Sequence, residues 1–79
     1  SVYPNPIENN IINIQFANCE TGKYRARLMN EAGQLVYETT VTNNNTKVIV
    51  NPTVKLAAGS YLLELNNTSS TVTKKVIVK

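Results

Sequence analysis

The sequence predicts an all-β domain, a sandwich of six or seven short antiparallel strands, on three observations. Val, Ile, Thr, Tyr and Phe dominate and helix formers are sparse, the composition of a pleated, half-buried surface. Apolar and polar side chains alternate with a period of two, which puts the apolar ones on one face of a strand. Clusters of Asn, Gly and Pro interrupt the alternation at the turn spacing of a β-sandwich.

Pro4 and Pro6 each fix φ and remove an amide donor, and Asn5, standing before a proline, is pushed to extended geometry. These residues predict an extended opening segment at a sheet edge. The first clear strand covers 11–16, with Ile12, Ile14 and Phe16 on one face and Asn13 and Gln15 on the other. Tyr24, Ala26 and Leu28 then alternate with Arg25 and Arg27, the pattern of an antiparallel strand with one wet side. Asn30-Glu31-Ala32-Gly33 reads as a turn in which Gly33 takes positive φ. The chain returns through Leu35 to Val41, so 23–41 predicts a hairpin.

Asn43-Asn44-Asn45 reads as a second turn, because Asn tolerates the left-handed region. A short strand over 47–50 ends at Asn51-Pro52. After Gly59, the residues Tyr61, Leu63 and Leu65 share an inward face. The stretch from Asn66 to Ser70 supplies the last reversal, and Thr71 to Val78 the final strand. Internal repeats, linkers and amphipathic helices are not evident.

Composition narrows the function classes. Seventy-nine residues make one domain, near the lower limit of what folds without disulfides or a metal. Stability is therefore expected to be modest or to lean on a neighbouring domain. The net charge of +3 is the excess of eight Lys and Arg over five Glu, the cations being spread along the chain except at the terminus. No basic and aromatic interleaving suggests nucleic-acid binding, and no apolar run reaches the length of a membrane span. No signal peptide precedes the domain and the first residue is Ser1, so a fragment of a longer protein is expected. There is no histidine, and the five acids, Glu8, Glu20, Glu31, Glu38 and Glu64, stand apart in sequence. Neither a general base of the usual kind nor a metal or calcium loop is indicated, and Cys19 lacks a histidine partner. The expectation is a non-enzyme with no cofactor, no catalytic residue and no metal ligand, and Cys19 reads as a core or loop thiol.

Two segments stand out. Leu56-Ala57-Ala58-Gly59-Ser60-Tyr61 has the form of a tyrosine corner, in which a tyrosine near the start of a strand sends its hydroxyl back to upstream backbone. Leu56 would plug the core and Gly59 permit the bend. The terminal strand, Lys74-Lys75-Val76-Ile77-Val78-Lys79, holds a parity conflict. With Val76 and Val78 inward, Lys74 shares their parity, so either the strand starts at Lys75 or a bulge resets it. Ile77 is then an apolar side chain on a basic outer face. That strand reads either as an edge protected by lysines or as a docking strip, for example by strand addition.

Val2-Tyr3-Pro4-Asn5-Pro6 at the front, the Glu31-Ala32-Gly33 turn followed by Leu35-Val36, the Gly59-Ser60-Tyr61 corner and the lysine-bearing last strand occur here in one order. The ensemble resembles the type IX secretion system C-terminal sorting domains of Gram-negative bacteria (type A, the Por secretion tail family), over nearly the whole chain. One departure is Glu31 where an aspartate is often found. The resemblance implies an immunoglobulin-like sandwich of about seven strands, spanning residues 1–79 as a single sorting domain at the end of a longer secreted protein. It also implies the partners: the type IX outer-membrane translocon and its shuttle protein, a sortase-like C-terminal signal peptidase, and an upstream cargo domain. The cargo would pass through the periplasm to the cell surface or the medium. By matching positions, Lys74, Lys75, Val76, Ile77, Val78 and Lys79 are the recognition residues. Pro4, Asn5, Pro6, Gly33, Leu56, Gly59 and Tyr61 are then fold motifs. The proline pair reads both as a stiff spacer and as a means of keeping an upstream cleavage site exposed. Alternatives from other classes are an immunoglobulin- or fibronectin-like accessory module binding carbohydrate or a surface ligand, and a spacer that pairs through an edge strand.

Overall fold

Period-two alternation carries through to the folded chain. The computed structural model describes residues 2–4 and 6–79, with side chains from Pro6 onward. Its strands are β1 (Val2–Pro4), β2 (Ile12–Phe16), β3 (Gly22–Asn30), β4 (Leu35–Asn43), β5 (Val48–Val50), β6 (Gly59–Asn66) and β7 (Thr71–Val78). They form a three-stranded sheet, β1-β2-β5, and a four-stranded sheet, β4-β3-β6-β7, and every strand pair is antiparallel. The result is an immunoglobulin-like sandwich. It departs from the constant-type arrangement in that β4 pairs with β3 rather than joining the sheet of β1, β2 and β5.

The core comes from the inward half of each alternating set. Ile12 and Ile14 of β2 meet Tyr24, Ala26 and Leu28 of β3, Tyr61, Leu63 and Leu65 of β6, and Val76 and Val78 of β7. The rings of Phe16 and Tyr24 join the two sheets with centroids 5.0 Å apart, within the range of favourable aromatic pairs. Pro4 lies in β1, at the edge of the smaller sheet and opposite Ile14, as the proline pattern predicts; Asn5 lies outside the described residues. Gly33 takes φ +82° in the β3–β4 turn, and the Asn30 side-chain oxygen accepts from the amides of Ala32 and Gln34, both at 3.0 Å.

Three local expectations are corrected. Ile11 is not part of β2 but forms an isolated bridge with Glu8. Asn43 is not a turn residue: it ends β4 and is buried, 1% exposed. Neither resolution of the terminal parity conflict holds. Strand β7 pairs with β6 in unbroken register from Asn66↔Thr71 to Gly59↔Val78, so Lys74 keeps inward parity opposite Leu63 and is nonetheless exposed. An edge strand allows this, since a long side chain there reaches water past the rim of the facing sheet. The bulge lies elsewhere, where Leu28 pairs with Tyr37 but Met29 pairs with Leu35. Val36 is the extra residue and packs against the core.

Both connections that cross from the smaller sheet to the larger one are built alike. Strands β3 and β6 each open on Gly-x-Tyr, with Gly22 at φ +125° and Gly59 at φ +147°, a region that L side chains rarely adopt. Two residues on, each tyrosine donates its hydroxyl to the carbonyl four residues upstream: Tyr24 to Glu20 at 2.6 Å and Tyr61 to Ala57 at 2.7 Å. An asparagine holds each connection from outside. Asn43 Nδ2 donates to the same Glu20 carbonyl at 3.0 Å. Asn10 donates to Val54 O at 2.8 Å and accepts from Leu56 N at 2.8 Å. Leu56, thus fixed, is buried in the core.

Replacing either tyrosine with phenylalanine should lower stability by about 1 kcal/mol, a fall in Tm of roughly 4–8 °C for a domain of this size, measured by thermal and urea unfolding. Burial pushes the Tyr24 phenol above its ordinary value of 10.0. Its stabilising effect is therefore complete below pH 10 and is lost as pH rises through the higher folded value. Tyr24→Phe should show a shallower loss of Tm between pH 9 and pH 11 than the unaltered chain, and parallel curves would refute the assignment.

Candidate recognition face

The terminal strand is an edge. In the larger sheet β7 pairs with β6 on one side, and its other side carries backbone groups at every second residue. At the end of the strand those groups are taken. Ile7 N donates to Ile77 O at 2.7 Å, and Lys79 N donates to Ile7 O at 3.0 Å, forming a parallel bridge between Ile7 and Val78. Ile7 is 0% exposed. An ion pair between Lys79 Nζ and Glu8 at 3.2 Å lies outside this bridge; with both side chains 60% exposed it adds little. By alternation the outward groups farther back belong to Lys75 and Thr73, and among the described residues no strand pairs with them.

The six residues expected to be recognised divide by exposure. Lys74, Lys75, Ile77 and Lys79 are exposed, whereas Val76 and Val78 are core, 3% and 5% exposed. The strip therefore offers a partner lysines and one isoleucine. Its two valines become available only if the strand unzips from β6.

The fold motifs converge on the same end. Gly59, Ser60 and Tyr61 pair with Val78, Ile77 and Val76 respectively. The Gly33 turn adjoins them: a depression of about 360 Å³ is lined by Asn30, Glu31, Ala32, Ala58, Gly59, Ser60 and Tyr61. A second, of about 200 Å³, continues from Glu31, Ser60 and Tyr61 to Leu62 and Lys75. Pro6 is exposed immediately before Ile7, so the opening segment reaches this end as well. Residues 6–7, 31–34, 59–61 and 74–79 thus share one rim. Leu56 stands apart, within the core. Sequence reasoning missed Ile7, although an apolar residue directly after the proline pair was a usable signal.

Both depressions are shallow and open, a shape suited to a protein surface rather than an enclosed small molecule. Among the described residues, no group of His, Cys, Asp and Glu could hold a metal ion, and no helix is long and apolar enough to cross a membrane. Cys19 is half-buried and its thiol donates to Ala17 O at 3.4 Å.

The sequence profile of one family, described as secretion system C-terminal sorting domain, matches residues 1–79. No curated protein matches the chain at a significant level.

Ile7→Ala should destabilise by about 2–5 kcal/mol as a buried large-to-small change, and should speed hydrogen exchange at the Lys79 amide before that of the β3 amides. Gly59→Ala should cost about 1–3 kcal/mol through backbone strain, since open space surrounds the position and no clash contributes. Both are checked by urea unfolding, and a neutral Gly59→Ala would remove the strained bend from the account.

Proposed function

We propose, from the premise that the chain belongs to the family of type IX secretion C-terminal sorting domains, that its terminal strand is the element the secretion machinery reads. The family indicates a sorting signal of an exported protein that interacts with the type IX machinery, and it is not an enzyme family. Residues 1–79 act as one C-terminal sorting domain of a longer secreted protein. The outer-membrane translocon and its shuttle protein engage Lys74, Lys75, Ile77 and Lys79, while Val76 and Val78 hold the strip in place from the core. A sortase-like peptidase then cuts upstream of Pro4, and the cargo passes from the periplasm to the cell surface or the medium.

The observation that carries this reading is the exposure of the lysines of an edge strand at the rim where the corner and the turn also meet. Lysines there favour encounter with an acidic partner surface. A carbohydrate-binding accessory module has less support. Such a face wants exposed aromatics, but Tyr24 and Tyr61 are buried, and among the described residues the exposed large hydrophobics are Leu35, Ile49, Val54, Leu62 and Ile77.

The test is a secretion assay with residues 1–79 fused behind a Sec signal and a fluorescent reporter in a bacterium possessing the machinery. The unaltered fusion should reach the surface or the medium. It should stay periplasmic in a strain lacking the translocon, and when residues 74–79 are removed. Because that truncation also removes Val76 and Val78, a folded triple variant, Lys74→Glu, Lys75→Glu and Ile77→Ser, is the sharper comparison and should be retained. Normal export of the triple variant would release the strip from its role. Retention of the unaltered fusion would overturn the sorting role.

A further inference from the structure

We infer that the outer face of the four-stranded sheet carries a second docking surface, an apolar row through Leu35, Met29 and Leu62 ending at Lys75 and Ile77. Its occupant is a segment of the secretion machinery that presents apolar side chains with a carboxylate at the lysine end. The inference rests on the sorting role proposed above and extends the contact beyond the terminal strand, to side chains of β4, β3 and β6.

Register places the row. Leu35 pairs with Met29, Met29 with Leu62, and Leu62 with Lys75, so these residues stand side by side on one face. Ile77 follows Lys75 two residues on, opposite Ser60. That face points away from the core, because the intervening Leu28, Tyr61, Leu63 and Val76 are the buried ones. At about 4.8 Å between strands, a row crossing four of them is roughly 14 Å long. Leu35, Leu62 and Ile77 are 48%, 40% and 42% exposed.

The remainder of the face is what water requires of an antiparallel sheet covered on one side. The next row holds Arg27 between Glu38 at 3.1 Å and Glu64 at 3.5 Å, and the row beyond aligns Thr40, Arg25, Asn66 and Thr71. The apolar row is a local exception, and one the β-bulge creates. With Val36 turned to the core as the extra residue, Leu35 takes the outer position beside Met29. Contiguous exposed apolar groups rimmed by polar ones mark interaction sites, and an unbranched Met adapts to an irregular partner.

Charge selects the occupant. Lys23, Arg25, Arg27 and Lys75 share this face with Glu38 and Glu64, and both carboxylates are engaged by Arg27. Among the described residues, no carboxylate lies in ion-pair range of Lys75 at the end of the row. Glu31 borders the depression from the turn side, so a partner carboxylate is received at the lysine end. A second copy of the chain would set like cations against one another, which is unfavourable.

The reporter fusion distinguishes the outcomes. Leu35→Ser with Leu62→Ser changes only exposed side chains, and an unaltered melting curve verifies that the fold is kept. A photo-crosslinking residue at Leu62 is compared with one at Thr40, on the same face but two rows away. Expected are export reduced roughly tenfold by the double variant, as for loss of an interface anchor, a Leu62 crosslink to a translocon component, and loss of that crosslink on Lys75→Glu. Unchanged export of the folded double variant, while the unaltered fusion is exported, overturns the surface and leaves the sorting role standing. A Leu62 crosslink to a second copy or to the reporter also overturns it. Retention of the unaltered fusion overturns the sorting role and this surface with it.

Discussion

Two tyrosine hydroxyls hold this sandwich to its topology. A domain of 79 residues has little core to spare, and its chain crosses from the smaller sheet to the larger one twice, between β2 and β3 and between β5 and β6. Each crossing must reverse the backbone next to the core without leaving peptide groups unpaired, because an unpaired buried group forfeits its hydration without return. The solution is the same both times. A glycine takes the bend, and a tyrosine ring fills the core while its hydroxyl closes on the carbonyl four residues back. The Glu20 carbonyl accepts from both Tyr24 and Asn43, so the first crossing is tied to the end of β4 as well. With both crossings pinned, the register of β3 and β6 follows, and with β6 the placement of β7.

Strand identity and inward faces were legible because they depend on neighbours in sequence. The alternation in 12–16, 24–28 and 61–65 maps directly onto the buried residues, and the Leu56-to-Tyr61 corner forms as its residues imply. The first corner carries the same signal, Gly22-Lys23-Tyr24 against Gly59-Ser60-Tyr61, and reading the two together would have found it. Other features depended on distance in sequence. Asn10 and Asn43 look like turn formers in a chain rich in asparagine, yet their side chains serve partners 46 and 23 residues away. No local pattern separates an asparagine that bends the chain from one that holds another segment.

The same limit explains the lysine at inward parity. Whether Lys74 can stand opposite Leu63 and remain exposed depends on which strand is the edge and on how far the facing sheet extends. In the event the alternation is not broken. A lysine at an inward edge position also discourages pairing with foreign strands, so the strand proposed for recognition is guarded against non-specific contact. The candidate rim was legible only in pieces. Its four segments lie far apart in the chain, and the register of β6 against β7 together with the Ile7 bridge assembles them.

That bridge has a mechanical consequence. Ile7 and Val78 form an isolated parallel bridge, so tension between the segment before Ile7 and the end of β7 drags them in opposite directions along a shared axis. The bonds from Ile7 N to Ile77 O and from Lys79 N to Ile7 O are then loaded together, in shear, instead of parting one after another as in a hairpin peeled from its open end. Resistance to such a pull is a matter of unfolding rate rather than of equilibrium stability. A pull on the end of β7 against a load held before Ile7 would therefore meet both bonds at once.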